Sequence, residues 1–179
     1  SPCEDPNNLT YNCDFDNFVP TPVGLVPEGW WPFVLMGHPA FDNMCDSPRC
    51  PALRIWSDGE HFTAGIYQQV PDVQPGVAYL ARLGWAVFAS PSDGPNIERK
   101  VGIDPYGGTD PTSPNIVWSP SVWEKKRISP ELQVSAVAQN TVITIFVWVH
   151  NPITHGADQV FLDAVSLVID PNKTPPTPT

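Results

Sequence analysis

A chain of 179 residues is long enough for one domain with a substantial core, and too short for a (β/α)₈ barrel or a two-domain dinucleotide enzyme. Its 23 prolines exclude a helical bundle, since an interior proline costs a helix about 3 kcal/mol, and a 41% hydrophobic share with seven tryptophans excludes disorder. The net charge of −10 sets the chain against nucleic acid and anionic membrane surfaces and in favour of uncharged partners or cations.

The chain opens at Ser1 without a signal peptide and so reads as a mature or excised fragment. The cysteines at 3, 13, 45 and 50 lack the C-x₂-C spacing of a zinc site. Four cysteines allow three pairings, of which the two local loops, Cys3–Cys13 and Cys45–Cys50, are the expected set. Disulfides imply an oxidising, extracellular setting. Asn8-Leu9-Thr10 and Asn172-Lys173-Thr174 match the glycosylation sequon, which has meaning only in a eukaryotic source.

Strands are predicted over 52–57, 64–70 and 77–89. In the third, Tyr79, Ala81, Leu83 and Trp85 share one face, while Arg82 marks the other as wetter. The stretch 94–120, rich in Gly, Pro, Asp, Asn, Ser and Thr, reads as one long loop, ordered by its Tyr and Trp. Further strands follow over 131–139, 141–150 and 159–169. The segment 141–150 is apolar on both faces, with Ile143, Ile145, Val147 and Val149 opposite Val142, Phe146, Trp148 and His150, and should be central and covered. Its apolar run falls far short of the roughly 20 residues of a membrane span. A Pro/Thr-rich linker over 171–179 follows a folded domain over 1–170. Many short strands between turn signals indicate an all-β sandwich or barrel.

Four blocks then carry a resemblance. NLTYNCDFDNF is similar to the NLxxNGDFE opening of carbohydrate-binding modules of the family 4/9/22 type, a galactose-binding-like group. PEGWWPF stands where those modules have GW, ALRIW and GIYQQVPDVQPGVAYLARLGWAVF resemble their core run, and VFLDAVSLV resembles YxDDVSL. The blocks lie in family order across most of residues 8 to 168. The resemblance implies a jelly-roll β-sandwich of two antiparallel sheets, appended to a secreted polysaccharide-degrading enzyme. Cys13 in place of Gly, Asp16 in place of Glu, and long stretches at 37–51 and 94–120 depart from the pattern and bear on ligand more than fold.

Two constellations carry chemistry. Asp14 and Asp16 alternate to one side of a strand, and Asp163 is an acid in an apolar strand, where an unpaired buried charge is expensive. The resemblance implies a structural Ca²⁺ held by Asp16, Asp163, Asp58 and the carbonyl of His61, with Glu60 as an alternative acid; calcium takes six to eight oxygens. Plain surface or turn acids are the alternative. The second constellation is aromatic, because sugar rings stack C–H faces on aromatic side chains. Trp30 and Trp31 are adjacent, so one must point outward. Trp56, Tyr106, Trp118, Trp123 and Trp148 are the candidate stacking residues, with Arg82, Gln68 and Gln133 as polar partners. No catalytic set is expected: Asp104 and Asp110 stand in Asp-Pro turns, and no G-x-S-x-G elbow is present.

The expectation is a secreted, monomeric, non-catalytic module that binds polysaccharide or oligosaccharide and works beside further modules of its own chain. The alternative is a structural or adhesive sandwich that supports a neighbour without binding glycan.

Overall fold

A computed structural model describes residues 1–45, 49–92, 94, 96–125 and 132–173, which form a jelly-roll β-sandwich. One sheet has seven strands, in the order β1 (Phe18–Thr21), β2 (Gly24–Pro27), β4 (Ala40–Asp42), β5 (Leu53–Asp58), β12 (Ala157–Ile169), β7 (Ala78–Ala89) and β10 (Leu132–Val137). The other has five, β3 (Trp31–Met36), β6 (Phe62–Val70), β11 (Ile143–Asn151), β8 (Glu98–Asp104) and β9 (Val117–Trp118). All neighbours run antiparallel except β2 and β4, which meet in parallel at Gly24 and Phe41.

Period-two alternation decides what the sheets bury. Leu53, Ile55, Ala81, Leu83, Val160 and Leu162 of the larger sheet pack against Ala64, Ile66, Val101, Ile103, Ile145 and Val147 of the smaller, each buried. Full burial of such side chains contributes roughly 1.5–3 kcal/mol apiece. The expected strands appear with ends shifted by at most two residues, and β11 is central as predicted. Glu131, expected to start β10, lies outside the described residues, as do 174–179 of the expected linker.

Three expectations are corrected. The stretch 94–120 is not one long loop, because it contains β8 and β9. Strand β8 alternates Glu98, Lys100, Gly102 and Asp104 outward with Arg99, Val101 and Ile103 inward, and its charges disguised the pattern. Arg99 is completely buried in the sandwich, a position that sequence patterning assigns to an apolar residue.

The second correction concerns Trp85, which does not share the core face of Tyr79, Ala81 and Leu83. Ala164 of β12 adopts a left-handed φ of 63°, and beyond Gly84 and Ala164 both paired strands exchange their inward and outward faces. The core therefore takes Leu83 and Val165 on one side of the kink, and Ala86 and Leu162 on the other. Trp85 and its partner Asp163 turn outward, under the N-terminal segment. Gly84 is required there, since a Cβ would stand 2.8 Å from the Pro2 ring.

Third, Asp14, Phe15 and Asp16 form a turn, not a strand, with Asn12 and Phe15 at positive φ. Asn8 fastens this N-terminal segment to β12, its Oδ1 accepting from Leu167 N at 3.0 Å and from Thr10 Oγ1 at 3.0 Å. The disulfides are Cys3–Cys13 and Cys45–Cys50, the two local loops expected.

Candidate functional site: an aromatic face on the five-stranded sheet

The outer face of the five-stranded sheet is where the alternation of β11 sends Thr144, Phe146, Trp148 and His150. Cross-strand register sets Tyr67 and Gly65 of β6 beside Phe146 and Trp148, with Gly102 and Lys100 of β8 on the other side. Strand β3 adds Trp31 opposite Tyr67 and Phe33 opposite Gly65, and β9 adds Trp118 opposite Gly102. One row of side chains thus crosses all five strands, a span of about 19 Å at normal strand spacing.

Phe146 is fully buried and forms the floor of this face, with ring centroids 5.6 Å from Tyr67, 6.2 Å from Phe33 and 6.3 Å from Trp118. Trp148 meets Trp118 edge-on at 5.6 Å and Phe33 at 6.1 Å. The two glycines make this layer possible. A Cβ at Gly65 would stand 2.6 Å from the Phe33 ring, and one at Gly102 would stand 2.6 Å from the Trp118 ring. Without them the rings could not lie across the sheet. Trp31, at the β3 edge, is 63% exposed, whereas adjacent Trp30 is buried with its indole N–H on the Tyr11 carbonyl.

Polar groups fix the rings. The indole N–H of Trp148 donates to Glu98 Oε1 at 2.8 Å, and Ser121 donates to Glu98 Oε2 at 2.7 Å. The Lys100 ammonium lies 4.4 Å from the Trp118 ring and 4.9 Å from the Trp148 ring. His150 shares a 2.6 Å hydrogen bond with Thr63, and Trp123 meets the His150 ring edge-on at 6.3 Å. At the far end, Gln69 donates to the Gly107 carbonyl, and Tyr106 follows Asp104 on that turn, 54% exposed. Asp104 accepts from the Tyr106 backbone and Asp110 from Thr112, the turn roles expected of them.

The structure therefore brings Trp118, Trp123 and Trp148 together on one face and sets Tyr106 at its border. It separates Trp56 and Arg82 from them. Trp56 is on β5 of the other sheet, where the Arg54 guanidinium covers its ring at 4.5 Å and Asp42 accepts its indole N–H. Partial burial would raise the Asp42 carboxyl, but the Arg54 fork outweighs it and holds the group below its ordinary range. Arg82 faces outward on β7 of the seven-stranded sheet, beside Gln133 of β10. Gln68 is buried and spends its amide on the backbone of Tyr11 and Gly29. Phe33, Tyr67, Phe146 and Lys100 were not foreseen. The alternation of Phe146 and Trp148 along β11 carried the signal, but only cross-strand register shows what meets them.

The expected calcium set does not assemble. Asp58 pairs with Ala157 at one end of β12, six residues from Asp163, or about 20 Å at the rise of a strand. Asp58 and His61 are exposed at that end. Asp16 and Asp163 do share a pocket, with Asp14 and Glu4. Burial pushes the Asp163 carboxyl up to about 7, against the Ala164 N–H and the Arg49 guanidinium, while Asp14 and Asp16 raise it further. Arg49 approaches Asp163 at 3.5 Å and Asp14 at 4.0 Å. The carboxylates of this pocket are oxygen donors of the type calcium takes, and a cation already sits against them.

A groove of about 760 Å³ lies away from the aromatic face, between residues 5–9 and the end of β12. Its single aromatic, Tyr79, uses its hydroxyl to accept from Gln74 N.

No protein-family model and no curated protein matches this sequence. Solved structures do match. TmCBM61, a carbohydrate-binding module in complex with β-1,4-galactotriose, aligns at 16% identity over 91% of this chain and 99% of its own, with a TM-score of 0.56. The C-terminal family 22 module of Clostridium thermocellum Xyn10B aligns at 10% identity over 95% and 99%, with a TM-score of 0.55. A family 16 carbohydrate-binding module aligns at 17% identity over 90% and 99%, with a TM-score of 0.52. This chain shares the fold of these three modules. At such identities the likeness extends to the arrangement of strands and not to individual side chains, so the aromatic face has to be judged on its own chemistry.

Proposed function

We propose that this chain is a non-catalytic carbohydrate-binding module of a secreted, modular protein, and that glycan lies across the outer face of the five-stranded sheet. The observation that carries the reading is the row from Trp31 through Tyr67, Phe146 and Trp148 to Trp118, an aromatic layer with Phe146 buried as its floor, Tyr67, Trp118 and Trp148 partly exposed, and Trp31 exposed at its edge. Ring faces take the apolar C–H faces of sugars, and rings held by neighbours lose little freedom on binding. Glu98, Lys100, Gln69 and Thr63 border the rings with groups able to pair with hydroxyls. The strand topology shared with modules that bind oligosaccharide supports the reading, as do two disulfides for an extracellular setting. Among the described residues no helix is long and apolar enough to cross a membrane.

Affinity gel electrophoresis over plant, algal, fungal and bacterial polysaccharides tests this. Retardation by at least one polymer class is expected, without release of reducing ends. No retardation by any polymer favours the structural or adhesive sandwich, and release of products would contradict the non-catalytic reading.

The reading extends to calcium at Asp16 and Asp163 with Asp14, omitting Asp58 and His61; among the described residues no three such groups converge as a ready ligand set, so the ion would have to draw these acids together and displace Arg49. Bound there, the ion would neutralise carboxylates that join the N-terminal turn to β12. A ligand at a hundred times its Kd stabilises by about 2.7 kcal/mol. The melting temperature in excess calcium should therefore exceed that in chelator by about 5–10 °C, at roughly 2–4 °C per kcal/mol for this length. Equal melting temperatures would remove calcium from the account.

A further inference from the structure

Lys100 stands on the proposed binding face without a counter-ion. Its ammonium lies between two tryptophan rings, and among the described residues no carboxylate forms an ion pair with it. Two acids share the face, and neither forms an ion pair with it. Glu98, the next outward residue of β8, has Oε1 taken by the Trp148 indole and Oε2 by the Ser121 hydroxyl. Asp104 is 2% exposed and accepts from the Tyr106 backbone, four residues or about 13 Å along the strand.

The placement is also costly. Lys100 is half-buried, and partial loss of hydration disfavours an ammonium unless something replaces the water. Two ring faces replace part of it, since a cation over an aromatic face gains about 0.5–2 kcal/mol. They leave the N–H groups pointing away from the rings available. In a chain with nine basic residues against 19 acidic, one cation has been set among the rings of this face, one outward position along β8 from the Glu98 carboxylate.

We infer that Lys100 receives a carboxylate of the bound glycan, so that the ligand class is a neutral main chain bearing isolated uronic-acid groups. This rests on the carbohydrate-binding reading above. A dense polyuronide is the wrong match, because the chain's net charge of −10 repels a polyanion as a whole. A single carboxylate meeting a single partly desolvated ammonium avoids that penalty and gains a charge-assisted hydrogen bond. The stacked main chain positions the substituent, and Lys100 distinguishes the substituted sugar from the bare one.

The test compares a glucuronic-acid-substituted xylan with the same polymer after chemical reduction of its carboxyl groups, alongside neutral xylan, galactan and glucan and a dense polygalacturonate. The native substituted polymer should bind at least roughly tenfold more tightly than its reduced form, the value of one charge-assisted hydrogen bond. That ratio should shrink in 0.5 M salt, fall to about one in Lys100→Met, and be retained in Lys100→Arg. Near-ultraviolet circular dichroism reports whether each variant keeps its aromatic packing. Equal binding of native and reduced polymer, or a preference that survives Lys100→Met, overturns the carboxylate inference and leaves the aromatic platform standing. Preference for polygalacturonate over every sparsely substituted polymer overturns the isolated-acid class. Failure to bind any polymer sinks both this inference and the reading on which it rests.

Discussion

Replacing Trp148 with alanine is expected to weaken glycan binding by about 30- to 100-fold, or about 2–3 kcal/mol, the loss typical of a central aromatic anchor. Trp148 is the hub of the face. It contacts Phe33 and Trp118, flanks the Lys100 ammonium and donates to Glu98. Its removal opens the middle of the row and releases Glu98 Oε1 into it. The fold should persist, because the opposite face of β11 still buries Ile145, Val147 and Val149 in the core. Trp118→Ala should show a smaller loss, since Trp118 lies on the edge strand β9 whereas Trp148 lies on the central strand β11. Trp56→Ala, on the other sheet, should leave retardation by polysaccharide unchanged. Affinity gel electrophoresis of the three variants checks the order, and equal losses for Trp56 and Trp148 would place the ligand elsewhere.

Arg99→Ala is expected to be the most damaging single change to stability, at about 3–5 kcal/mol, or a melting temperature lowered by about 6–20 °C. The Arg99 side chain is wholly buried, and its guanidinium donates to the carbonyls of Ala86 at 2.8 Å, Ile97 at 3.2 Å and Glu124 at 2.5 Å while lying over the Phe88 ring. Burial lowers its pKa to about 10, a shift that Glu124 opposes, so the group is still a cation at neutral pH. Alanine would leave a cavity the size of a guanidinium and strip these carbonyls of a charged donor. Arg99→Lys should recover only part of the loss, because one ammonium cannot match a planar fork directed at three carbonyls. Thermal unfolding of the three proteins checks this, and an Arg99→Ala protein within 1 °C of the parent would show that the contacts do not stabilise the fold.

Arg99 also shows where the sequence ceased to be legible. Alternation in 64–70 and 141–150 displayed strands and their core faces openly, because those segments bury aliphatic residues at period two. Strand β8 follows the same rule, but one inward position holds an arginine and the outward ones hold Glu, Lys, Gly and Asp. The turn-type composition of the surrounding stretch 94–120 therefore suggested a loop. The face reversal at Ala164 was hidden for a different reason, since nothing in its residue type announces a left-handed φ. It moved Trp85 from the core to the outer side of β7, next to Asp163.

The site was half visible. Adjacent Trp30 and Trp31 had to point in opposite directions, and they do. Trp118, Trp123 and Trp148 could be nominated as aromatics beyond the needs of a core, but so could Trp56, and composition cannot say which sheet a ring stands on. That depends on pairing between strands distant in sequence, such as Gly65 with Trp148 and Gly102 with Phe146. The calcium set failed on the same ground. Asp58 and Asp163 are on neighbouring parts of the sheet, yet the register of β5 against β12 puts six residues between them.

The seven tryptophan indole N–H signals in an NMR titration with the retained oligosaccharide test the binding face most directly. Four of these residues, Trp31, Trp118, Trp123 and Trp148, stand on or beside the five-stranded sheet's outer face, while Trp30, Trp56 and Trp85 do not. The account predicts that the shifts fall within the first group, with Trp148 and Trp118 moving most, and that the other three stay fixed. Shifts centred on Trp56, or spread evenly over all seven, would contradict it.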